Sequence, residues 1–172
     1  MIITSDTSVA AEAIRSGQLV AIPTETVYGL AADATNDSAV HKIFQVKGRP
    51  ETHPLIVHVA SWTDVAKYAI DIPPVAERLC AEFWPGPLTI VLKRRNGICD
   101  AAAGGLATIA IRCPSHPLTL EMLRIADTAV AAPSANLFGR VSPTSAQHVA
   151  TDLANKVEVI LDGGACTIGV ES

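Results

Sequence analysis

Short apolar runs alternate with amphipathic segments along the whole chain. This alternation is typical of an α/β domain in which helices cover a sheet. The runs that predict buried strands cover residues 18–22, 54–59, 88–92, 108–112, 130–132 and 157–161. No repeat, linker or low-complexity tract interrupts the pattern, so the sequence predicts a single domain.

Helical periodicity fills the spaces between these strands. Helices are predicted at about residues 8–16, with Thr7 or Ser8 as cap, and before Lys47, with Asn36, Asp37 or Ser38 as cap. Further helices are predicted at 62–69, 73–83, 118–126 and 142–153. In the helix at 73–83, Val75, Leu79 and Phe83 lie at i, i+4 and i+8 and are expected to cover the sheet. Residues 99–107, rich in Ala and Gly, are expected to form a mobile loop.

Polar side chains follow the first of these strands, where residues 23–30 read Pro-Thr-Glu-Thr-Val-Tyr-Gly-Leu. Pro23 stops further ladder pairing because it lacks an N–H group. Hydroxyls, a carboxylate and a phenol at the end of a buried strand make this stretch a candidate floor of an active site. The alternative is a turn in which Thr24 and Thr26 make local hydroxyl bonds while Tyr28 packs in the core. The pattern leaves both interpretations open.

Cations follow the second predicted helix, where Lys47 and Arg49 flank Gly48. Two cations at a helix C-terminus complement the macrodipole, and Gly48 would end the helix. Their position beside the polar floor nevertheless favours an anion-binding site. As a surface cation, Lys47 is expected to contribute little to stability.

Other strands also end in polar groups. Arg112 shares a face with Thr108 and needs an anionic partner or water, because an unpaired buried charge is costly. Residues 133–136 place Ser134 and Asn136 where another strand stops. His58 lies alone in an apolar strand, where a histidine is more often part of the core than a ligand or a base.

Composition narrows the classes of function. The net charge of −4 argues against a long surface that tracks phosphates. The four cysteines form no C-x-x-C pair and no metal-ligand spacing with the histidines, which favours reduced thiols over a zinc site. No apolar run approaches the ~20 residues that span a bilayer and no targeting segment is recognisable, so we expect a soluble, cytoplasmic protein. Residues 169–172 form neither a finished helix nor a polar tail, so we expect the sequence to continue beyond them.

Common phosphate and hydrolase motifs are absent from the sequence. It contains neither G-x-x-x-x-G-K-[ST] nor G-x-G-x-x-G, and no G-x-S-x-G nucleophile elbow. The remaining chemistry is electrostatic, since Lys47, Arg49 and Arg112 could neutralise a polyphosphate or a carboxylate.

Six ordered blocks resemble the YrdC/TsaC family of L-threonylcarbamoyladenylate synthases: PTETVYGLAADA, KGRPxxxPLIVHV, FWPGPLT, TIAIRCPSHP, APSANLFGRVSPT and ILDGG…GVES. The resemblance covers nearly the whole chain. It implies a YrdC-like catalytic domain over residues 1–172, with a twisted mixed sheet and flanking helices around a deep concave cavity. It also implies a nucleotidyltransferase that joins L-threonine, bicarbonate or CO2, and ATP with Mg2+, giving threonylcarbamoyl-AMP and pyrophosphate. The product would serve threonylcarbamoyladenosine formation in tRNA, together with downstream transferases.

The resemblance also implies the residues of the site. The threonine site would be lined by Thr26, His58, Arg112, Ala132 and Ser172, with Arg112 on the substrate carboxylate. ATP would be contacted by Arg49, His53, Thr108, Ser134 and Ser142, with Lys47 and Asn136 close by. Lys47, Arg49 and Arg112 would be the catalytic cations, and Mg2+ would arrive on ATP without protein ligands. His53 stands where the family often has Asn, and family members add a later Arg beyond the Ser that matches Ser172.

Two other functions are compatible with the same residues. A concave cationic cavity could hold RNA, although the net charge of −4 and the seven aromatic side chains (three Phe, two Trp, two Tyr) argue against it. A YrdC-like domain also occurs inside larger carbamoyltransferases, which would require additional metal-binding domains.

Overall fold

A computed structural model describes residues 1–171, apart from the side chain of Asn155. Ser172, which the resemblance places in the threonine site, lies outside the described residues. The strands are β1 (Ile2–Thr4), β2 (Val20–Ile22), β3 (Gly29–Asp33), β4 (Ile56–His58), β5 (Ala69–Ile70), β6 (Thr89–Arg94), β7 (Thr108–Arg112), β8 (Val130–Ala131) and β9 (Val159–Leu161). The helices are α1 (Thr7–Arg15), α2 (Asp37–Lys47), α3 (Val65–Tyr68), α4 (Pro74–Phe83), α5 (Pro117–Ala126) and α6 (Ala146–Leu153), with short 3-10 helices at Trp62–Asp64 and Ala154–Lys156.

The strands of residues 1–171 form one nine-stranded sheet in the order β1-β9-β2-β3-β8-β4-β7-β6-β5. β9 pairs in parallel with β1 and β2, and β4 pairs in parallel with β7. The remaining ladders are antiparallel. The predicted α/β class, with a mixed sheet and flanking helices, is confirmed, whereas the deep concave cavity stays a prediction.

Local capping sets where the first two helices begin. The side chain of Asp6 accepts from the Ser8 amide at 2.8 Å, so the cap of α1 is Asp6 rather than Thr7 or Ser8. Asn36 caps α2 in the same way, through the amide of Ala39 at 3.2 Å. Gly48 ends α2 with a φ of 65°, a left-handed conformation that glycine adopts without strain.

Helices bury apolar side chains on both faces of the sheet. On one face α1 and α5 pack together, and Ile14, Met122 and Leu123 are fully buried between them and the strands. The larger core lies on the other face and includes Ile43 of α2 and Val149 of α6. Branched aliphatic and small side chains make up most of both cores.

Helix α4 does not present the predicted stripe to the sheet. Val75, Leu79 and Phe83 are exposed, Phe83 by 53%, whereas Ala76 and Cys80 are buried. The expectation that the large side chains cover the sheet is wrong. The helix turns its small side chains inward, and Ala76 and Cys80 belong to the larger core.

The segment at 99–107 contains neither helix nor strand but packs against the core. Cys99, Ala102 and Ala103 are buried, and the Leu55 amide donates to the Ala102 carbonyl at 2.8 Å. The segment thereby supports the strand β4 that carries His58. Its mobility stays a prediction.

Candidate functional site

The sheet brings the predicted polar strand ends together. In the β4–β7 ladder His58 lies opposite Arg112, and in the β6–β7 ladder Arg112 lies opposite Thr89. These ends border a pocket of about 230 Å3. Its lining residues are Thr24, Thr26, Val27, Gly29, Arg49, Pro54, Leu55, Ile56, His58, Arg112, Ala132, Pro133, Ser134 and Glu171.

Six of the predicted site residues line this pocket: Thr26, Arg49, His58, Arg112, Ala132 and Ser134. The other described members of the predicted set do not appear in the lining: Lys47, His53, Thr108, Asn136 and Ser142. A larger pocket of about 320 Å3, bordered by Trp62, Trp84 and Leu120, contains none of the predicted residues. The predicted residues therefore gather at the smaller of these two pockets.

The turn after β2 is built by local hydroxyl bonds and also faces the pocket. Thr24 Oγ1 donates to the Val27 carbonyl at 2.6 Å and accepts from the amides of Thr26 and Val27 at 3.1 and 3.2 Å. Thr26 Oγ1 lies 3.0 Å from Thr24 Oγ1. The turn interpretation is confirmed, and Thr24 shapes the turn that presents Thr26 to the pocket. The interpretation of this stretch as the floor of an active site stays a prediction.

Tyr28 anchors another segment rather than lining the pocket. Its ring is fully buried, and its hydroxyl donates to the Gly164 carbonyl at 2.8 Å and accepts from the Gly163 amide at 3.1 Å. Burial raises the pKa of the Tyr28 phenol to about 12, so it stays protonated at neutral pH. The phenol ties the turn to residues 163–164, which precede the segment that carries Glu171.

A second connection joins the turn to the loop that carries Ser134. The Leu30 amide donates to the Pro133 carbonyl at 2.7 Å, and the Ala135 amide donates to the Tyr28 carbonyl at 2.8 Å. A Cβ at Gly29 would lie 3.2 Å from the Cβ of Ala132, so the close approach of these backbones favours glycine. These bonds place Ser134 at the same pocket as Thr26.

Arg112 is buried, with 3% of its surface exposed, beside a carboxylate. Its Nη2 donates to Glu25 Oε1 in a short hydrogen bond and to Thr26 Oγ1 at 3.1 Å. The sequence-based expectation that Arg112 needs an anionic partner is confirmed, but Glu25 was not among the predicted site residues. Alternation within the strand signals the need for a partner without identifying it.

The Glu25 carboxylate remains ionised in this environment. Burial alone would raise its pKa, but the amides of Ser115 and Glu25 itself and the charge of Arg112 hold the pKa below its usual range. The Ser115 amide donates to Glu25 Oε2 at 2.9 Å. Glu25 and Arg112 therefore form a buried ion pair next to the pocket.

His58 is buried and neutral. Burial, followed by the nearby charge of Arg112, lowers its pKa to about 3. Its Nδ1 lies 3.2 Å from the Ile56 carbonyl, so in the neutral ring Nδ1–H donates there and Nε2 is left as an acceptor. The pocket thus combines a permanent cation with a neutral acceptor on adjacent strands.

Lys47 is not a surface cation. It is only 4% exposed, and its Nζ donates to the carbonyl of Ser134, to the carbonyl of Asn136 at 2.5 Å and to Asn136 Oδ1 at 3.2 Å. Burial, with the charge of Arg49, lowers its pKa to about 8. The expectation that Lys47 is a surface cation is wrong, so exposure gives no reason to expect a small contribution to stability. Its predicted role toward ATP stays a prediction.

Arg49 lines the same pocket as Arg112. Its Nη2 donates to the Pro54 carbonyl at 3.3 Å. Burial lowers the pKa of the guanidinium, and the negative charge of Glu171 opposes that effect. The Ser142 hydroxyl donates to Glu171 Oε1 at 2.5 Å, which connects this predicted ATP contact to a pocket-lining carboxylate.

The remaining predicted ATP contacts lie beyond the pocket lining. Thr108 is exposed at the start of β7, opposite Lys93, and shares a face of the strand with Arg112. The His53 ring packs against Phe138 with centroids 6.1 Å apart. Asn136 donates through Nδ2 to the Arg140 carbonyl at 2.5 Å, which closes the loop after β8.

Two kinds of feature are absent from residues 1–171. Within this part of the chain no group of three or more His, Cys, Asp or Glu could hold a metal ion. None of the helices described there is both long and apolar enough to cross a membrane. The pocket offers hydroxyls, two guanidinium groups and a neutral imidazole, which suit a small ligand with carboxylate or phosphate groups.

Comparison with known proteins identifies similar chains. The model of the Sua5/yciO/yrdC family, which carries the description "Telomere recombination", matches residues 12–172. Threonylcarbamoyl-AMP synthase of Pyrococcus abyssi (strain GE5 / Orsay) is 51% identical over 164 residues, covering 95% of this chain and 48% of that protein. Threonylcarbamoyl-AMP synthase of Bacillus subtilis (strain 168) is 48% identical over 164 residues, covering 95% of this chain and 47% of that protein.

A solved structure agrees with these relatives. The crystal structure of P. abyssi Sua5 complexed with L-threonine matches with a TM-score of 0.97 and 47% identity, covering 100% of this chain and 53% of that one. The chain therefore spans about half the length of the relatives it matches.

Proposed function

This chain belongs to the Sua5/yciO/yrdC family, and on that premise we propose that it is the catalytic domain of an L-threonylcarbamoyladenylate synthase. It joins L-threonine, CO2 or bicarbonate, and ATP to give threonylcarbamoyl-AMP and pyrophosphate, a nucleotidyl transfer. The observation that carries this proposal is one pocket that holds both Arg112 with His58 and Arg49 with Ser134. A carboxylate ligand and a phosphate ligand would each meet an arginine there.

The half of the pocket at Arg112 suits the amino acid. A guanidinium binds a carboxylate through directed N–H groups, and Thr26 adds a hydroxyl beside it. His58 Nε2 can accept a hydrogen bond from the substrate hydroxyl or amine, because the neutral ring presents an acceptor. Such a site rejects L-valine, since the polar groups that meet the threonine hydroxyl would be left unpaired. L-Serine lacks one methyl group, so its binding free energy should be weaker than that of L-threonine by only ~1 to 3 kcal/mol.

The half of the pocket at Arg49 suits ATP. Arg49 and Ser134 line it, and Ser142 reaches it through Glu171. Thr108 and His53, which the resemblance assigns to ATP, would contact the parts of the nucleotide that extend beyond the pocket. Lys47 and Asn136 hold the loop of Ser134 in place through three hydrogen bonds.

The reaction brings anions together, so charge neutralisation and orientation dominate it. The threonine amine adds to the carbon of CO2 and loses a proton, which gives a carbamate. A carbamate oxygen attacks the α-phosphorus of ATP, the bond to the bridging oxygen breaks, and pyrophosphate leaves. Arg112 holds the carboxylate and Arg49 offsets charge at the phosphates while neither forms a covalent bond.

Mg2+ fits this site as an ion carried by the triphosphate. Mg2+ in nucleotide sites is commonly held by phosphate oxygens with one or two carboxylates, and Glu171 is a carboxylate in the pocket lining. When bound, the ion supplies further neutralisation of the phosphate charge.

The product implies later steps outside this chain. Threonylcarbamoyl-AMP would pass to transferases that modify adenosine in tRNA. We place the reaction in the cytoplasm, where ATP, bicarbonate and unmodified tRNA are present together.

The proposal is tested by mass detection of threonylcarbamoyl-AMP after incubation with ATP, Mg2+, bicarbonate and L-threonine. Reactions without threonine, and with L-valine in its place, are the substrate controls. Arg49→Ala should abolish the adduct, and Arg78→Ala, at an exposed position on α4, should leave it unchanged.

Each outcome has a distinct meaning. A threonine-dependent adduct supports the synthase. Threonine binding without an adduct would contradict catalysis by this chain and leave it as a binding domain. Absence of both, with RNA affinity that falls steeply with salt, would favour the RNA-binding module instead.

A further inference from the structure

We propose that Glu25 is the positioning residue of the amino-acid site, holding the Arg112 guanidinium in the orientation that receives the substrate carboxylate. This inference rests on the proposed function, because it assigns Arg112 to that carboxylate. Glu25 does not line the pocket and would not touch the substrate. It would act only through Arg112.

The two oxygens of the Glu25 carboxylate bind two separate elements. Oε1 accepts from Arg112 Nη2 at the end of β7, and Oε2 accepts from the Ser115 amide at 2.9 Å in the turn before α5. The carboxylate is 8% exposed and the arginine 3%, so water does not compete strongly for either partner. Glu25 therefore fixes the end of β7 and the turn after it relative to each other.

Holding one nitrogen of a guanidinium orients the whole group. The group is planar, and its five N–H donors point in fixed directions. Nη2 is held by Glu25 Oε1 and, at 3.1 Å, by Thr26 Oγ1. With Nη2 held by two neighbours, the plane of the guanidinium is set before any ligand arrives, which lowers the cost of ordering it on binding.

The main chain of Glu25 binds a different segment. Its carbonyl accepts from the Ile168 amide at 2.9 Å, and the Thr26 carbonyl accepts from the Gly169 amide at 3.0 Å. These bonds hold the stretch that leads to Glu171. Because they use backbone atoms, a substitution of the Glu25 side chain leaves them available, so side-chain and backbone roles can be separated.

Glu25→Gln tests the role with little change of shape. Both partners of the carboxylate, Arg112 Nη2 and the Ser115 amide, are hydrogen-bond donors. A glutamine offers one acceptor oxygen and one donor NH2 group, so it can satisfy one partner while its NH2 group faces the other. Either the guanidinium or the turn after β7 then loses its contact.

The measurement compares L-threonine with L-threoninol, which lacks the carboxylate, by calorimetry on the whole chain. We expect the parent to prefer threonine by tenfold or more, and Glu25→Gln to reduce that preference to threefold or less. ATP affinity should change by less than twofold. Glu25→Asp, which keeps the charge but shortens the side chain, should lie between the two. Glu82→Gln, at an exposed position on α4, is the matched control and should resemble the parent.

A second comparison tests whether Glu25 acts through Arg112. When Glu25→Gln is added to Arg112→Lys, the double variant should bind threonine no more than twofold more weakly than Arg112→Lys alone. The reason is that the guanidinium that Glu25 positions is already absent. If the fold-losses of threonine affinity in the two single variants multiply in the double variant, the proposal is overturned. Equal losses for threonine and threoninol would also overturn it, since they indicate a general structural role.

The possible failures are distinguishable. If the parent neither binds threonine nor forms the adduct, the proposed function fails. If the parent does both and Glu25→Gln keeps its preference for threonine over threoninol, only the role of Glu25 fails. Loss of cooperative unfolding in both Glu25→Gln and Glu25→Asp would overturn the role as well, because it would assign Glu25 to the fold.

Discussion

Arg112 on β7 and His58 on β4 are buried and occupy paired positions on neighbouring strands. Arg112 is paired with Glu25 and Thr26, whereas His58 is neutral because burial and the charge of Arg112 both disfavour the protonated ring. The two side chains therefore offer a donor and an acceptor to one ligand. At this scale the chemistry depends on individual contacts, and single substitutions can test it.

Arg112→Lys should weaken threonine binding by at least about tenfold, or ~1.4 kcal/mol, because an ammonium cannot present the directed N–H groups of a guanidinium. ATP affinity should change by less than about threefold, since the nucleotide is assigned to the Arg49 side of the pocket. Calorimetric titration with each ligand measures both values. Equal losses for the two ligands would contradict the assignment of Arg112.

His58 should make the protein less stable in acid. A histidine in the unfolded chain binds a proton below about pH 6.5, whereas His58 in the folded protein stays neutral down to a pKa of about 3. The unfolded state therefore gains a proton that the folded state does not, and stability falls as the pH drops from about 6.5. The stability that His58 contributes is fully present above that pH.

Urea unfolding of His58→Gln at several pH values between about 6.5 and 5 tests this pH dependence. The free energy of unfolding of the variant should fall less steeply with decreasing pH than that of the parent. The two slopes should differ by up to ~1.4 kcal/mol per pH unit. Gln147→Ala, which alters an exposed residue without a titrating group, is the control and should keep the parent slope. A His58→Gln slope equal to that of the parent would show that His58 is protonated in the folded protein.

At the scale of elements, the end of α2 is joined to the loop after β8 by a single side chain. Lys47 lies in the last turn of α2, and its ammonium bonds two carbonyls and one side-chain oxygen of residues 134–136. The Phe138 amide donates back to the Lys47 carbonyl at 2.9 Å. The loop that presents Ser134 is thus held to the helix that presents Arg49.

Lys47→Met should lower the free energy of unfolding by about 2 to 4 kcal/mol, because it leaves buried oxygens without their donor. Lys93→Met, which removes an exposed pair with Asp71, should cost less than about 1 kcal/mol. Urea unfolding measures both changes. A Lys47→Met protein with parental stability but lost turnover would favour the phosphate contact that the resemblance predicts.

Helix α4 illustrates a limit of periodicity. The sequence shows which side chains share a stripe, and the stripe of Val75, Leu79 and Phe83 is present as predicted. Periodicity does not show whether that stripe or its neighbour faces the protein, and here Ala76 and Cys80 do. Local hydrophobicity alone therefore misassigns the face.

At the scale of the whole molecule, the pocket draws on residues from position 24 to position 171. The turn after β2, the ends of β4 and β7, the loop after β8 and the segment before residue 172 all contribute to it. A ligand that binds there should therefore stabilise the entire fold against unfolding.

L-Threonine at a hundredfold excess over its Kd should raise the free energy of unfolding by about 2.7 kcal/mol, because it binds only the folded state. L-Valine at the same concentration should have little effect, since it lacks the hydroxyl. Thermal unfolding with and without each amino acid makes the measurement. An equal rise with both would show that the site does not recognise the hydroxyl.

Much of the fold follows from patterns that lie within a few residues of one another. The strand at 108–112 and the helix that begins after Asn36 coincide with the predicted elements, because alternation and capping depend on near neighbours. The strand β3 was not predicted. Its sequence is Gly-Leu-Ala-Ala-Asp, and such small residues give little periodic signal. Through their resemblance to a family, the motifs predicted six of the fourteen residues that line the pocket, namely Thr26, Arg49, His58, Arg112, Ala132 and Ser134.

Three features depended on the tertiary structure because they join residues far apart in the chain. Glu25 meets Arg112 across 87 positions, and Lys47 meets Asn136 across 89. The sheet order places β8 between β3 and β4 although it follows β7 in sequence. Alternation and capping in the sequence therefore settle the class of fold and the kinds of group available. Which groups become partners is settled by the packed sheet, because no local pattern encodes a contact between distant residues.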